Sequence, residues 1–246
     1  MSVLIDPDLD FASYYRRGGD PDRDCERLYL WHRALCSRPV EGVGPFEIEV
    51  TYGSGYELRL ATANGAMFRL ASDGIIHTWS TPGWTKRFTP ELVAEIGRDV
   101  DDFFRIASTI GGYVLFPRNS DAQSGATINQ ARGVHPQIAD RFDLTLECIR
   151  LHYLDPSMES PLAARLNHYR DFFELFGDFH TYVRFFLLED LLTRDRKGVR
   201  SLMTGGVVTD FLVPAYATTP LEYAAYRTNS IEFVRARNDR IRRLGL

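Results

Sequence analysis

Residues 46–79 read FEIEVTYGSGYELRLATANGAMFRLASDGIIHTW. Apolar and polar side chains alternate in FEIEV, YELRLAT and AMFRLAS, the period of a strand with one buried face. The connectors YGSG, ANG and SDG carry the glycines and asparagine that tight hairpins require. This stretch predicts an antiparallel sheet over roughly 46–80, with IIHTW (75–79) as its last run. Downstream, GGYVLF (111–116) is continuously apolar and reads as a buried strand.

The flanks are helical. CERLYLWHRALC (25–36) spaces Leu28, Trp31 and Leu35 on one face. TPELVAEIGRDVDDFFRIAS (89–108) opens with Thr89 and Pro90, a helix start, and continues in one apolar stripe. HPQIADRFDLTLECIRLHYL (135–154) is apolar on two sides, so its polar seams must be buried and paired. SPLAARLNHYRDFFELFG (160–177) starts at Ser160 and Pro161, and DFHTYVRFFLLEDLL (178–192) starts at Asp178. In the latter, helical spacing puts Asp190 on the face of Phe179, Val183 and Phe186, an odd place for an acid. TPLE (219–222) is a capping box opening the last helix. The expected architecture is α+β, or α/β if the sheet is partly parallel. It has a central sheet with antiparallel N-terminal hairpins, packed by about six helices concentrated in the C-terminal half. A single globular domain is expected over 1–246: an irregular acidic arm (1–25), a sheet-rich part (46–116) and a helix-rich part (135–246).

Composition bounds the function. At 246 residues, 44% apolar and 25% charged, the chain is an ordinary globular one, with an ample supply of 16 Phe, 12 Tyr and 3 Trp. No apolar run approaches membrane-spanning length, and the N-terminus lacks a basic region followed by an apolar stretch. Cys25, Cys36 and Cys148 have no ligand-like spacing and read as reduced thiols of a cytoplasmic protein. No phosphate loop, dinucleotide fingerprint or zinc motif occurs, so neither a metal nor a nucleotide cofactor is expected. Net charge is −4 but uneven: residues 1–26 carry −4 and residues 227–246 carry +4. The basic end reads either as a helix terminus matched to its dipole or as a phosphate-binding face, with Arg235, Arg237 and Arg240 the candidates.

The polar stretch FPRNSDAQSGATINQARGVHP (116–136) joins the apolar strand to the two-sided helix. At a parallel strand's carboxyl end it would floor a ligand site. Arg118, Asn129, Arg132 and His135, with Arg141 beyond it, are candidate substrate-binding groups. Asn119 and Asp143 are the candidate catalytic pair.

The strings DPDRDCERLYLWHRALCSRPV, TIGGYVLFPRN, TINQARG, IADRFDLTLECIRLHY, YRDFFELFGDFHTYVRFFLLEDL and SIEFVRARNDRI resemble a bacterial family that carries only a domain-of-unknown-function label. That resemblance covers most of the chain and implies one cytoplasmic domain, with no activity attached. In pattern alone, a strand, then a Pro- and Asn-bearing loop, then a helix resembles uracil-DNA-glycosylase-like proteins, with LFPRN placing Asn119 where a loop residue positions the attacking water. The expected function is hydrolysis of the N-glycosidic bond of a nucleobase in DNA, modified bases included, in defence against phage. DNA or a nucleotide is the expected partner. The rivals are a non-catalytic nucleotide- or protein-binding module and an ADP-ribosyltransferase-like toxin.

Overall fold

A computed structural model of the chain describes residues 4–62, 65–118 and 127–246. In chain order the helices are α1 (Ala12–Arg16), α2 (Pro21–Asp24) and α3 (Glu26–Cys36). Strands β1 (Glu47–Tyr52), β2 (Tyr56–Ala61) and β3 (Met67–Gly74) follow, then α4 (Pro82–Thr85), α5 (Pro90–Gly97), α6 (Val100–Ala107) and β4 (Tyr113–Arg118). The remainder is α7 (Ile128–Val134), α8 (Phe142–Leu154), α9 (Ala163–His168), α10 (Arg170–Glu174), α11 (Phe179–Phe186) and α12 (Pro220–Leu244).

The two expected hairpins form. β1 pairs with β2 from Glu47↔Ala61 to Tyr52↔Tyr56, and β2 with β3 from Leu58↔Leu70 to Ala61↔Met67. Alternation does its work here: Leu58, Leu60 and Leu70 are buried. A third hairpin at SDG does not form. β3 runs straight through Asp73 and Gly74 and pairs with β4, Ala71 opposite Phe116 and Gly74 opposite Tyr113. β4 is apolar and buried over Tyr113–Phe116 and gives β3 its partner edge. IIHTW is therefore not a strand; Ile75, Ile76 and Trp79 are simply buried, and the Trp79 indole N–H donates to the Ala139 carbonyl at 3.2 Å. The sheet order β1-β2-β3-β4 is antiparallel throughout, so the architecture is α+β and the parallel alternative falls.

The long predicted helices break where tertiary contacts outbid local spacing. The 89–108 run divides into α5 and α6 at Asp99, which sits at φ 54°. Arg227 of α12 caps that break, donating to the carbonyls of Glu95 (3.1 Å) and Arg98 (2.8 Å). Likewise 160–177 begins at Ala163 rather than Pro161 and divides into α9 and α10 at Tyr169. α11 stops at Leu187, φ 58°, so Asp190 lies past the helix and accepts from Arg240 instead of facing the apolar side of α11. The caps at Thr89, Asp178 and Thr219 form as expected.

Residues 1–25 are not an irregular arm over their described part. Phe11 and Cys25 are buried with Leu28, Trp31, Ile110, Tyr113 and Ile241 in a second apolar cluster. Ile5 N–H donates to the Leu246 carbonyl (2.8 Å), and Asp8 pairs with Arg242 (2.8 Å). The acidic start and basic end of the chain thus partly neutralise each other. The main core joins sheet and helices, from Ile48 through Phe142 to Val234.

Candidate functional site

Between α7 and α8 the chain does not run on as a helix. It turns through Ala139 (φ 47°) and Asp140 (φ 63°), and that turn folds Asp140 back over α7. Arg132, wholly buried on α7, fills the space beneath. Its guanidinium meets Asp73 at 2.7 Å and Asp140 at 2.6 Å. It also donates to Thr145 Oγ1 (3.2 Å) and to the Asp140 carbonyl (2.8 Å). Burial works against the Arg132 charge, but Asp140 and Asp73 more than offset it and push its pKa up. His77 completes the rim. Its Nδ1 accepts the Trp79 N–H (2.8 Å), which leaves Nε2–H facing Asp140 at 4.0 Å.

Asp22 joins this centre from α2. Its Oδ2 accepts the Gly74 N–H at 3.2 Å, while Oδ1 is buried without a hydrogen-bond partner. Burial raises its carboxyl to about 7, the Asp20 charge adding to the shift and Arg132 opposing it. Asp73 is likewise raised well above an ordinary aspartate, chiefly by burial, despite its contact with Arg132. Asn129 on α7 donates weakly to the Ser72 carbonyl (3.5 Å), and its Oδ1 is also buried and unpartnered. Around them lie Ser72, bonded to His32 Nε2 at 3.0 Å, and the hydroxyls of Tyr15 and Tyr113, 3.4 Å apart. Two carboxylates, Asp73 and Asp140, thus pair with one guanidinium, and a third, Asp22, stands near them without contacting it. With all ionised the set would carry an excess of two negative charges, and burial favours the protonated forms of Asp22 and Asp73.

One turn along α8 a second centre has the opposite balance. Arg141 grips Asp143 through two hydrogen bonds (3.2 and 2.5 Å) and donates to the Ala215 carbonyl (2.9 Å) and Ser201 Oγ (3.3 Å). Asp143 also accepts the Leu202 N–H at 2.8 Å and is 0% exposed. One charge meets one charge, and each guanidinium nitrogen donates at least one hydrogen bond. Asp143 is therefore a buried anchor for the 200–215 segment, not a carboxylate facing a sugar, and Arg141 is its partner, not a substrate ligand. This corrects both sequence expectations.

Of the remaining expected residues, Asn119 lies outside the described residues. Arg118 stands half-exposed at the end of β4, 4.0 Å from Glu57, which Arg69 also holds at 2.5 Å. His135 turns away from Arg132. It lines a pocket of about 480 Å³ whose walls include Trp84, Arg87, Pro136 and Tyr216. Arg87 lies 4.7 Å over the Trp84 ring. Arg237 is buried and donates to the carbonyls of Phe186, Ile110, Gly111 and Tyr113, where it cannot meet a phosphate; the expectation for it is withdrawn. Arg240 is held by Asp190 (2.9 Å) and Glu189 (3.3 Å), and Arg235 is exposed on α12. Of the expected set, among the described residues, only Asn129 and Arg132 meet at the centre.

Sequence reading missed Asp22, Asp73, Asp140 and His77. Asp73 was hidden in SDG as turn chemistry, and Asp22 in DPDRD as part of an acidic arm. The available signal was the number of acids near buried-helix polar seams, but spacing does not say which of them converge.

A family model described as a family of unknown function (DUF6994) matches residues 5–241. The chain belongs to this family. The match spans nearly all the elements above, so the Arg132 and Arg141 centres both lie within the DUF6994 unit. No curated protein and no solved structure matches the chain. The pattern likeness to uracil-DNA glycosylases thereby gains no support, and the antiparallel sheet removes the parallel-strand placement on which the loop argument depended. Among the described residues, no group of His, Cys, Asp and Glu has the arrangement of a metal site, and no helix is long and apolar enough to cross a membrane.

Proposed function

We propose that this chain is a hydrolase that cleaves the N-glycosidic bond of a nucleobase in DNA, modified bases included. One observation carries the reading: Asp73 and Asp140 share a single buried guanidinium, Arg132, and the buried Asp22 stands beside them on the Gly74 N–H. Excess negative charge suits a reaction whose transition state develops positive charge on a sugar ring. Asp22, its carboxyl pushed up to about 7 by burial, takes the proton of the attacking water or gives one to the departing base. Asp73 faces the oxocarbenium charge. The unpartnered Asn129 Oδ1 accepts from water or from an exocyclic amine. In the balanced step, water oxygen bonds the anomeric carbon as the C–N bond breaks. The bond's electron pair stays on the base nitrogen, and the water's proton ends on that base. The setting would be the cytoplasm, where the three buried, unpaired cysteines stay reduced, and phage DNA with altered bases is the fitting substrate class.

The test is incubation with plain duplex DNA and with phage DNA carrying modified bases, followed by alkali to cut at abasic sites. Strand breaks are expected with the native chain. Asp22→Asn should lower their rate by about a hundredfold or more, the size typical of general acid–base loss. No breaks on any substrate, or undiminished cleavage by Asp22→Asn, removes the proposal. The aromatic pocket at Trp84 and Tyr216 favours a second reading, a nucleotide-binding module without turnover. Thermal stabilisation by a nucleotide with no product formed would select it.

A further inference from the structure

We propose that the turn at residues 193–200, with the cleft below it, is a docking surface for the phosphodiester backbone of a nucleic acid. This rests on the nucleic-acid reading above but concerns a different place. The cleft, of about 870 Å³, lies between this turn and α12 and is lined by Arg194, Arg196, Arg200 and Arg240. Arg240 is spent on Asp190 and Glu189. Arg200 is not: among the described residues its one ion pair is the loose one with Glu232 at 3.8 Å, and its Nε is buried with no hydrogen-bond partner. Arg194, Arg196 and Lys197 are exposed.

The turn is built, not loose. Thr193 N–H donates to the Gly198 carbonyl (2.9 Å), Arg196 N–H to the Thr193 carbonyl (2.8 Å), and Arg200 N–H to the Leu191 carbonyl (2.7 Å). Asp195, the only acid in the turn, is engaged internally. It accepts from Thr193 Oγ1 (2.6 Å) and from the Lys197 N–H (3.1 Å). Arg196 occupies the left-handed region at φ 59°, a conformation that is strained for a non-glycine residue. A rigid turn therefore spends its acid on shape and holds three cations outward. Arg243 extends the basic face along α12, three residues beyond Arg240.

The cations are spread over the turn, the cleft and the helix. That dispersion fits successive phosphates of a strand, which arginine forks grip without reading sequence.

The test uses the full chain carrying Asp22→Asn, so that cleavage does not interfere, and a fluorescein-labelled 20-base-pair duplex followed by anisotropy across a salt series. Affinity should fall steeply with salt. The variant R194E/R196E/K197E changes only exposed side chains and should bind about tenfold or more weakly, with a salt slope lower by roughly one per lost contact. R16E/R17E, a charge change of the same sign at an exposed place elsewhere, should bind within about threefold of the parent. No binding near 50 mM salt, or equal binding by the turn variant, overturns the proposal. So does stabilisation by inorganic pyrophosphate without any duplex binding, which would mean a small-anion site only. Alkali-revealed cleavage of DNA separates the two proposals: its absence in the native chain, with duplex binding intact, sinks the hydrolase alone. Cleavage by the native chain, with duplex binding unchanged in the turn variant, sinks the docking surface alone.

Discussion

Two buried arginine centres stand side by side, Arg132 before the Ala139–Asp140 turn and Arg141 after it, and they differ in arithmetic. Arg141 meets Asp143, and two carbonyl or hydroxyl acceptors and one N–H donor complete the pair. Nothing is left over, and the result is a rivet between α8 and the 200–215 segment. Arg132 meets two carboxylates with a third beside them, and two oxygens nearby have no partner. A balanced buried pair is structural because its charges are consumed. An unbalanced one retains a field that a proton, a cation or a developing positive charge can lower. The same residue types in one short stretch thus do opposite jobs.

The comparison can be broken first at the rivet. Asp143→Asn leaves Arg141 charged, buried and short of its partner, so the loss should be about 3–5 kcal/mol of unfolding free energy. Urea denaturation measures it, and a loss below about 1 kcal/mol would show that the pair is not the anchor it looks to be.

At the unbalanced centre the expectation is reversed. The Asp22 carboxyl is raised by burial to about 7, from about 3.9 in the unfolded chain. The folded chain therefore holds a proton that the unfolded chain releases between those values. Stability from this group is fully present below about pH 4, falls as pH rises to 7 and stays low above it. Asp22→Asn keeps an oxygen for the Gly74 N–H and removes the charge. Its stability relative to the native chain should rise over the same window, by up to about 4 kcal/mol at pH 8. A melting series at pH 5 and pH 8 decides. A stability difference that does not grow with pH would mean that Asp22 is not the proton-holding member.

A third, small effect marks the scale for exposed charge. Asp8→Asn removes the partner of Arg242 at the surface and should leave the urea midpoint nearly unchanged, any small shift vanishing in salt. A larger loss would show that the joined termini hold the second apolar cluster together.

Much of the fold was legible. Alternation gave the two hairpins, Thr89, Asp178 and Thr219 gave three helix starts, and the two-sided apolar character of 135–154 gave a covered helix with paired polar seams, which starts at Phe142 rather than at its expected beginning. The errors share a cause. SDG was taken for a turn because Asp and Gly suit turns locally, yet Asp73 is held in a strand by Arg132, 59 residues later. The helices expected at 89–108 and 160–177 break at Asp99 and Tyr169, and the first break is capped by Arg227 from the far end of the chain. The candidate site was half legible: Arg132 and Asn129 were named, whereas Asp143 was mistaken for a free carboxylate because a sequence does not count a charge's partners.

The sequence by itself determined the two N-terminal hairpins, the caps at Thr89, Asp178 and Thr219 and the need for buried polar pairing along 135–154, since these follow from local periodicity and local hydrogen bonding. Only the tertiary structure decided which carboxylates share which arginine. Electrostatic balance depends on distance and burial in space, and α2, β3 and the 139–140 turn bring Asp22, Asp73 and Asp140 to Arg132 from three separate parts of the chain.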